Sequence, residues 1–509
     1  MDNYEDEYVK ETFTVVALKL VVEQPFKIPF VAGVVLYANA DKAEIARDVI
    51  ENAATQLQDF MNQGQWREFK LMLRFLACLS PLFEEDGILP ILDGLFENAV
   101  DLQTASPDDS VGIELVKIIL LTIPYLLAIS PDPSLQQKAS DLLEKTDIVA
   151  SAPHPLEALV DPYPTQDLEE KPMACSSVIS LLQRQLQEEA NSGWPLRCIP
   201  RVFDATKPET KTEADLEMET SGEAKASPKH TFPVVNVLSP VNPGGRTLFP
   251  EMYFSVYADQ EIESVPPTTD VASSLLRDAI LDTVNILDFN RNVTAKLLNE
   301  IDCFWAPDTF VKRSTAFDKL RDIPDGKPKW KPEDVAIDAI FSQIYQLPTP
   351  EHRLVYYHSL ITESCKISPG AIAPSLGRAI RFLFRNVDQM DMELAYRFMD
   401  WFAHHLSNFE FRWKWAEWYV GYQSVTDNIL TVFPGYRTCL FRIFTLRRRS
   451  LLAHLTRRFS FRLPSVCATR CQRHITRSYP RTGKSRCPHS NTSTTQRRLP
   501  KRAVKSSNS

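Results

Sequence analysis

Few residues in this chain have the type and spacing that chemistry needs. His404 and His405 form the densest histidine pair. Neighbours on a helix point about 100° apart, so the two rings cannot close on one metal ion as an i, i+4 pair does. The expected arrangement is one ring inward and one outward. Gly483-Lys484-Ser485 copies the end of a phosphate-binding loop, but Ser478 stands where that motif needs its first glycine. Cys467, Cys471, His474, Cys487 and His489 carry zinc-ligating groups at spacings that match no standard site. The carboxylate pairs Glu84-Glu85, Glu169-Glu170 and Glu188-Glu189 read as solvated faces, not as acid/base machinery. No catalytic residue, metal ligand or cofactor site is assigned, and the expectation is a protein that is not an enzyme.

One aromatic cluster has a possible binding chemistry. Trp401, Phe402, Phe409, Phe411, Trp413, Trp415 and Trp418 could stack nucleic-acid bases, with Arg412 and Lys414 between them. The spacing of Trp401, Phe402 and Leu406 is that of a helix packing into a core, which is the preferred reading. Arg412 and Lys414 are then solvated rims.

The elements that must position these side chains read as helix after helix. The chain has 509 residues, 44% of them hydrophobic and only 15 of them Gly. Apolar residues recur at helical spacing through Ile45, Val49, Ala53, Leu57 and Met61, with Asp41 and Glu44 placed as a capping box. Helices are expected over 66–82, 88–102, 111–129, 134–145, 271–287, 293–304, 333–347, 351–367, 370–387 and 392–406. The helix over 111–129 is apolar nearly all round and belongs at the centre. Thr269 or Asp270 is positioned to cap the helix from Val271, Asn292 the helix from Val293, and Pro332 opens another. A cadence of about 20 residues per helix, without a strict repeat, points to an all-α, HEAT-like α-solenoid of antiparallel pairs.

Charge divides the chain. Residues 1–427 carry 38 Lys+Arg against 65 Asp+Glu, whereas residues 428–509 carry 19 Lys+Arg and no acid. The acidic body has no overall electrostatic reason to bind naked nucleic acid. The longest apolar run, Ile118–Ile129, is 12 residues and falls short of the roughly 20 that a membrane span needs. The first residues are acidic where a signal peptide is basic. Nine scattered Cys fit a reducing compartment.

Specific strings resemble one family. Ala339-Ile340-Phe341, Gln346-Leu347-Pro348-Thr349-Pro350-Glu351-His352, Leu360 to Gly370, and above all Arg397 to Trp413 are similar to the large subunit of the nuclear cap-binding complex, in its fungal form. Weaker similarity runs from Tyr4 to about Val202, including Val31 to Val35 and Leu73 to Leu76. The resemblance implies helical domains of the type found in the middle of translation initiation factor four-gamma. It also implies a partner, a small subunit with an RNA-recognition motif that holds the 7-methylguanosine cap, and no membrane. The large subunit orders that partner's flexible segments and offers a surface to splicing, export and decay factors. Nuclear localisation with shuttling to the cytoplasm follows from the same likeness. The alternative is another helical-repeat RNA-processing or translation scaffold of the same fold. No partner-contact residue is assigned.

The domains expected are a first helical domain over 1–200, short at its start relative to the family, and a linker over 201–268, acidic and then Pro-rich. A second helical domain covers 269–420, and a basic low-complexity tail covers 421–509. Residues 204–229 read as disordered, and 231–267 as a connector rather than a packed layer. The resemblance stops near Tyr419, before a third helical domain. The abrupt change of composition is read as a retained intron or shifted reading frame, against a genuine basic tail acting as a nuclear signal or RNA-binding arm. A body ending there is expected to fold and to hold the small subunit weakly.

Overall fold

The computed structural model describes residues 4–84, 86–107, 109–130, 132–164, 171–173, 176–202, 228–237, 248–324 and 326–414. These residues lie in one compact unit, Met1–Tyr422. They form fourteen α-helices: α1 Glu7–Glu23, α2 Ile28–Asp41, α3 Ala43–Gln63, α4 Trp66–Cys78, α5 Leu89–Ala105, α6 Ser110–Ile129, α7 Pro133–Ala150, α8 Val178–Asn191, α9 Val271–Ile286, α10 Arg291–Asn299, α11 Pro332–Ile344, α12 Leu354–Ile367, α13 Pro369–Asn386 and α14 Met392–Asn408. Among the described residues there is no strand. Two isolated bridges, Phe83 with His230 and Ser177 with Met252, are the extended pairings recorded.

Helix starts follow capping chemistry. Asp6, Asp109, Asp132, Ser177, Asp270, Asn290 and Asp391 each accept a backbone N–H from the first turn of the helix they open. Asp270 caps α9 as expected. Two expected caps fall elsewhere: Asn290, not Asn292, opens α10, and Asp41 is the last residue of α2. Only Lys42 separates α2 from α3, so no room remains for a capping box there. Gly64 ends α3 in the left-handed conformation (φ 70°), and Gln65 N–H then reaches back to the Phe60 carbonyl.

Along much of the chain a helix packs on the one after the next: α1 on α3, α2 on α4, α4 on α6, α6 on α8, then α10 on α12, α11 on α13 and α12 on α14. This neighbour pattern is that of stacked helical hairpins sharing one core. α6 is long and apolar enough to cross a membrane, although Glu114 and Lys117 break its longest apolar run. Most of its length, 78% of the most apolar window, is buried against other helices, as expected of a central core helix.

α8 packs on α9, and α9 on α11, joining the earlier helices to the later ones. A strap crosses this junction. Residues 248–257 are extended, as their composition predicts, yet Tyr253, Phe254, Val256 and Tyr257 are all buried. That stretch is therefore a packed layer, not only a connector. Arg277 of α9 donates to the Phe254 carbonyl at 2.5 Å. Asp338 of α11 accepts from Ser255 Oγ and Val256 N–H, both at 2.8 Å, and pairs with Arg277.

Candidate functional site

Two of the concave surfaces among the described residues stand out by size. The first is a cleft of about 600 Å³ among α4, α6, α9, the strap around Glu251 and the loop before α12. Its floor is ionic. Lys70 and Arg74 stand one helical turn apart on α4, and Asp278 and Asp282 one turn apart on α9. Lys70 Nζ lies 2.8 Å from Asp278 and 2.9 Å from Asp282, and Arg74 pairs with Asp278 as well. All four side chains are buried. Burial opposes the charge on Asp278, but Arg74, Lys70 and Lys117 outweigh it and hold the carboxyl far below its usual range. Burial and the neighbouring Asp278 push the Asp282 carboxyl upward. At the rim Arg67 grips Glu351 with both terminal nitrogens, at 2.7 and 2.5 Å, and Lys117 reaches Glu251 at 2.5 Å.

The chemistry of this cleft is structural. Every cation in the network faces a carboxylate, and these charges fix α4 against α9. Reading the sequence for sites missed this network. The signal was present: two basic residues at i, i+4 in a helix that is apolar from Phe69 onward, and two acids at i, i+4 on another.

The second surface is a groove of about 470 Å³ between α13 and the end of α14. An aromatic ladder leads to it. Phe254 contacts Tyr345 (4.8 Å between ring centres), Tyr345 contacts Phe341 (5.9 Å), Phe341 meets Trp401 edge-on (4.8 Å), and Trp401 stacks on His405 (5.5 Å), which touches Phe409 (4.7 Å). Trp401 and Phe402 are fully buried, as the core reading of the aromatic cluster expects. Phe409, Phe411 and Trp413 are half-buried, and Arg412 is exposed and pairs with Glu410. Trp415 and Trp418 lie outside the described residues.

The two histidines differ from expectation. Both are half-buried on α14, which packs on α12. His404 faces His358 of α12 at 5.5 Å, while His405 packs between Trp401 and Phe409. Burial first, and the nearby His404 second, lower the pKa of both His358 and His405 to about 4. His358 Nε2, His404 Nδ1 and His405 Nδ1 have no hydrogen-bond partner among the described residues. Among those residues no group of His, Cys, Asp and Glu is arranged to hold a metal ion.

Of the adjacent carboxylates, Glu189 ends on structural duty: it accepts the Leu196 N–H, and burial raises its pKa. Glu84 accepts from the Thr231 hydroxyl. Glu85, Glu169 and Glu170 lie outside the described residues. So do Gly483, Lys484 and Ser485, the tail residues Cys467, Cys471, His474, Cys487 and His489, and the whole basic segment 421–509.

Comparison with known proteins places this architecture. Residues 266–428 match the family described as MIF4G like. The nuclear cap-binding protein subunit 1 of Schizosaccharomyces pombe is 28% identical over 400 residues, covering 77% of this chain and 48% of that protein. The nuclear cap-binding protein complex subunit 1 of Eremothecium gossypii is 29% identical over 447 residues, covering 81% and 50%. The human nuclear cap-binding protein subunit 1 reaches 39% identity over 107 residues, 21% of this chain and 13% of that protein. The chain thus spans about half the length of the fungal relatives it matches. The likeness first carried by residues 332–418 extends over roughly four-fifths of the chain: this all-α stack resembles the large subunit of the nuclear cap-binding complex.

Proposed function

We propose that this chain acts as a scaffold subunit of a nuclear cap-binding complex. It holds a small subunit bearing an RNA-recognition motif in the conformation that grips the 7-methylguanosine cap. The observation that carries this reading is the similarity to subunit 1 over most of the chain, on a body whose conspicuous charges are spent on holding helices together. Binding a partner whose flexible segments must order costs that partner conformational entropy. A rigid surface that meets the ordered form offsets this cost and raises apparent cap affinity. Coupling of capped RNA to splicing, export and decay factors, and shuttling between nucleus and cytoplasm, belong to the same proposal. Its two helical domains, over 1–200 and 269–420, supply the surface.

The MIF4G-like match taken alone also suits another RNA-processing or translation scaffold, and the same experiment separates the two. A small cap-binding subunit from a related fungus is passed over 7-methylguanosine resin with and without the full chain. Retention of the small subunit at limiting concentration is expected to rise when the chain is present, by less than a full-length relative achieves. Unchanged retention, with no chain in the eluate, rejects the proposal.

A further inference from the structure

One segment of this chain lies on the first helices as a bound peptide lies on a receptor. Residues 228–237 run extended over α2, α3, α5 and the turn at Phe83. Most of what holds them is main chain. Asn39 of α2 donates from Nδ2 to the Pro228 carbonyl at 2.8 Å. The His230 N–H reaches the Leu82 carbonyl at 2.7 Å and the Glu84 N–H reaches the His230 carbonyl at 3.0 Å, a parallel β-type pairing beside Phe83. Gln58 of α3 accepts the Asn236 N–H at 2.9 Å and donates to the Asn236 carbonyl at 3.2 Å. Groups that bind carbonyls and N–H supply affinity for any extended chain, and side-chain contacts supply the choice among them.

Three side chains make that choice. His230 donates from Nε2 to Asn39 Oδ1 at 2.7 Å, because the amide nitrogen of Asn39 is already the donor to Pro228. Phe232 meets the Phe83 ring edge-on at 5.0 Å. Val237 sits over Gly94 of α5, where an added Cβ comes within 3.1 Å of it. Yet no residue of 228–237 is buried. Little apolar area resists its release, so local opening costs little.

From these contacts we infer that this surface is a peptide-reading groove. Its ligand in trans is an extended segment of another protein with a histidine, an aromatic residue two places on, and a small apolar residue five places after that. Residues 228–237 occupy the groove in cis and compete with that ligand. As part of the same chain they set an effective concentration that the ligand must exceed. A second copy offering its own 228–237 is the competing occupant.

The test uses the full chain and a fluorescein-labelled peptide with the sequence of residues 228–237, followed by anisotropy. His230→Ala with Phe232→Ala weakens the competitor in cis while changing no buried residue. The double variant is expected to bind the peptide at least about tenfold more tightly than wild type does. Adding Gln58→Ala or Gly94→Leu to it must cancel that gain. A peptide carrying Val234→Ala must bind as its parent does, since Val234 is 89% exposed. Equal binding by wild type and the double variant overturns the inference. So does a gain that survives Gly94→Leu, which puts the peptide elsewhere. Wild type that dimerises as its concentration rises gives the groove to a second copy and overturns it too.

If the double variant loses its helical circular dichroism, Gly94→Leu in the otherwise wild-type chain decides. That side chain crowds Val237 from a helix that accepts it. Tryptic cleavage after Lys229 must then quicken as the segment leaves, and unchanged cleavage overturns the inference.

Discussion

Two helices at the heart of this molecule are buried by opposite means. α6 is covered through its hydrocarbon: fifteen of its twenty residues are buried, and its two charges, Glu114 and Lys117, face the cleft. α11 is covered more completely, all thirteen residues, yet it carries Glu333, Asp334 and Asp338 into the interior. Those carboxylates are tolerated because each meets a cation or hydrogen-bond donor from a distant part of the chain. Arg378 pairs with Asp334, Arg277 with Asp338, and the Ser314 N–H reaches Glu333 at 2.5 Å. Burial nonetheless raises the pKa of Asp334 and Asp338, which shows that desolvation is only partly offset. The difference teaches that apolar burial sets where a helix lies, whereas paired burial also sets which helix it must meet.

The sharpest way to break this contrast is to remove one partner. Asp278→Ala leaves Lys70 and Arg74 buried and short of a counter-charge. It is expected to lower stability by about 3–5 kcal/mol, read as a shift of the urea midpoint. On the same logic, Arg277→Met combined with Asp338→Leu should recover a good part of what either single change loses. A double variant no better than the worse single one would show that the strap's hydrogen bonds, not the charge pair, carry the energy. On the apolar side, Leu120→Ala in α6 should cost about 2–5 kcal/mol through lost packing and the cavity left behind. No companion substitution of opposite charge will restore it.

Acid separates the regions by a different route. His358 and His405 have folded-state pKa values lowered from 6.5 to about 4. The unfolded chain therefore binds protons first. Their contribution to stability is fully present above pH 6.5 and is lost as pH falls from 6.5 toward 4. The α12–α14 end should loosen in that window before α4–α6 does, measured by amide exchange in the two segments. Simultaneous loss of protection would sink the idea. The smallest effect is expected at the surface. Arg385→Ala removes an exposed pair with Asp259 (2.9 Å) and should change stability by less than about 1 kcal/mol.

These two modes of burial explain what could be read from the sequence. α6 announced itself as central because apolarity is a local property of the string. α9 and α11 announced themselves as helices through Asp270 and Pro332, but not as buried, since Asp278, Asp282, Asp334 and Asp338 look like solvated faces until their partners are known. Those partners lie from 44 to more than 200 residues away. The strap was misjudged for the same reason: Pro-rich spacing disclosed its extended backbone, while burial of Tyr253 and Phe254 depends on Arg277 and Asp338. At the groove, the type of Trp401 and Phe402 was legible, and the environment of His405 was not, because it is set by the turn that follows α14.

Arg397 has a consequence of timing. Its buried guanidinium gathers the carbonyls of Ile344 (3.1 Å), Gln346 (2.8 Å) and Pro348 (2.6 Å), the bend that closes α11, from 49 to 53 residues further along the chain. At ordinary ribosomal speed that interval lasts roughly 3–10 s. Throughout it the bend has been made but its clasp has not. Until Arg397 is made, the three carbonyls have only water for a partner, so the bend can be locked only after α14 has been synthesised.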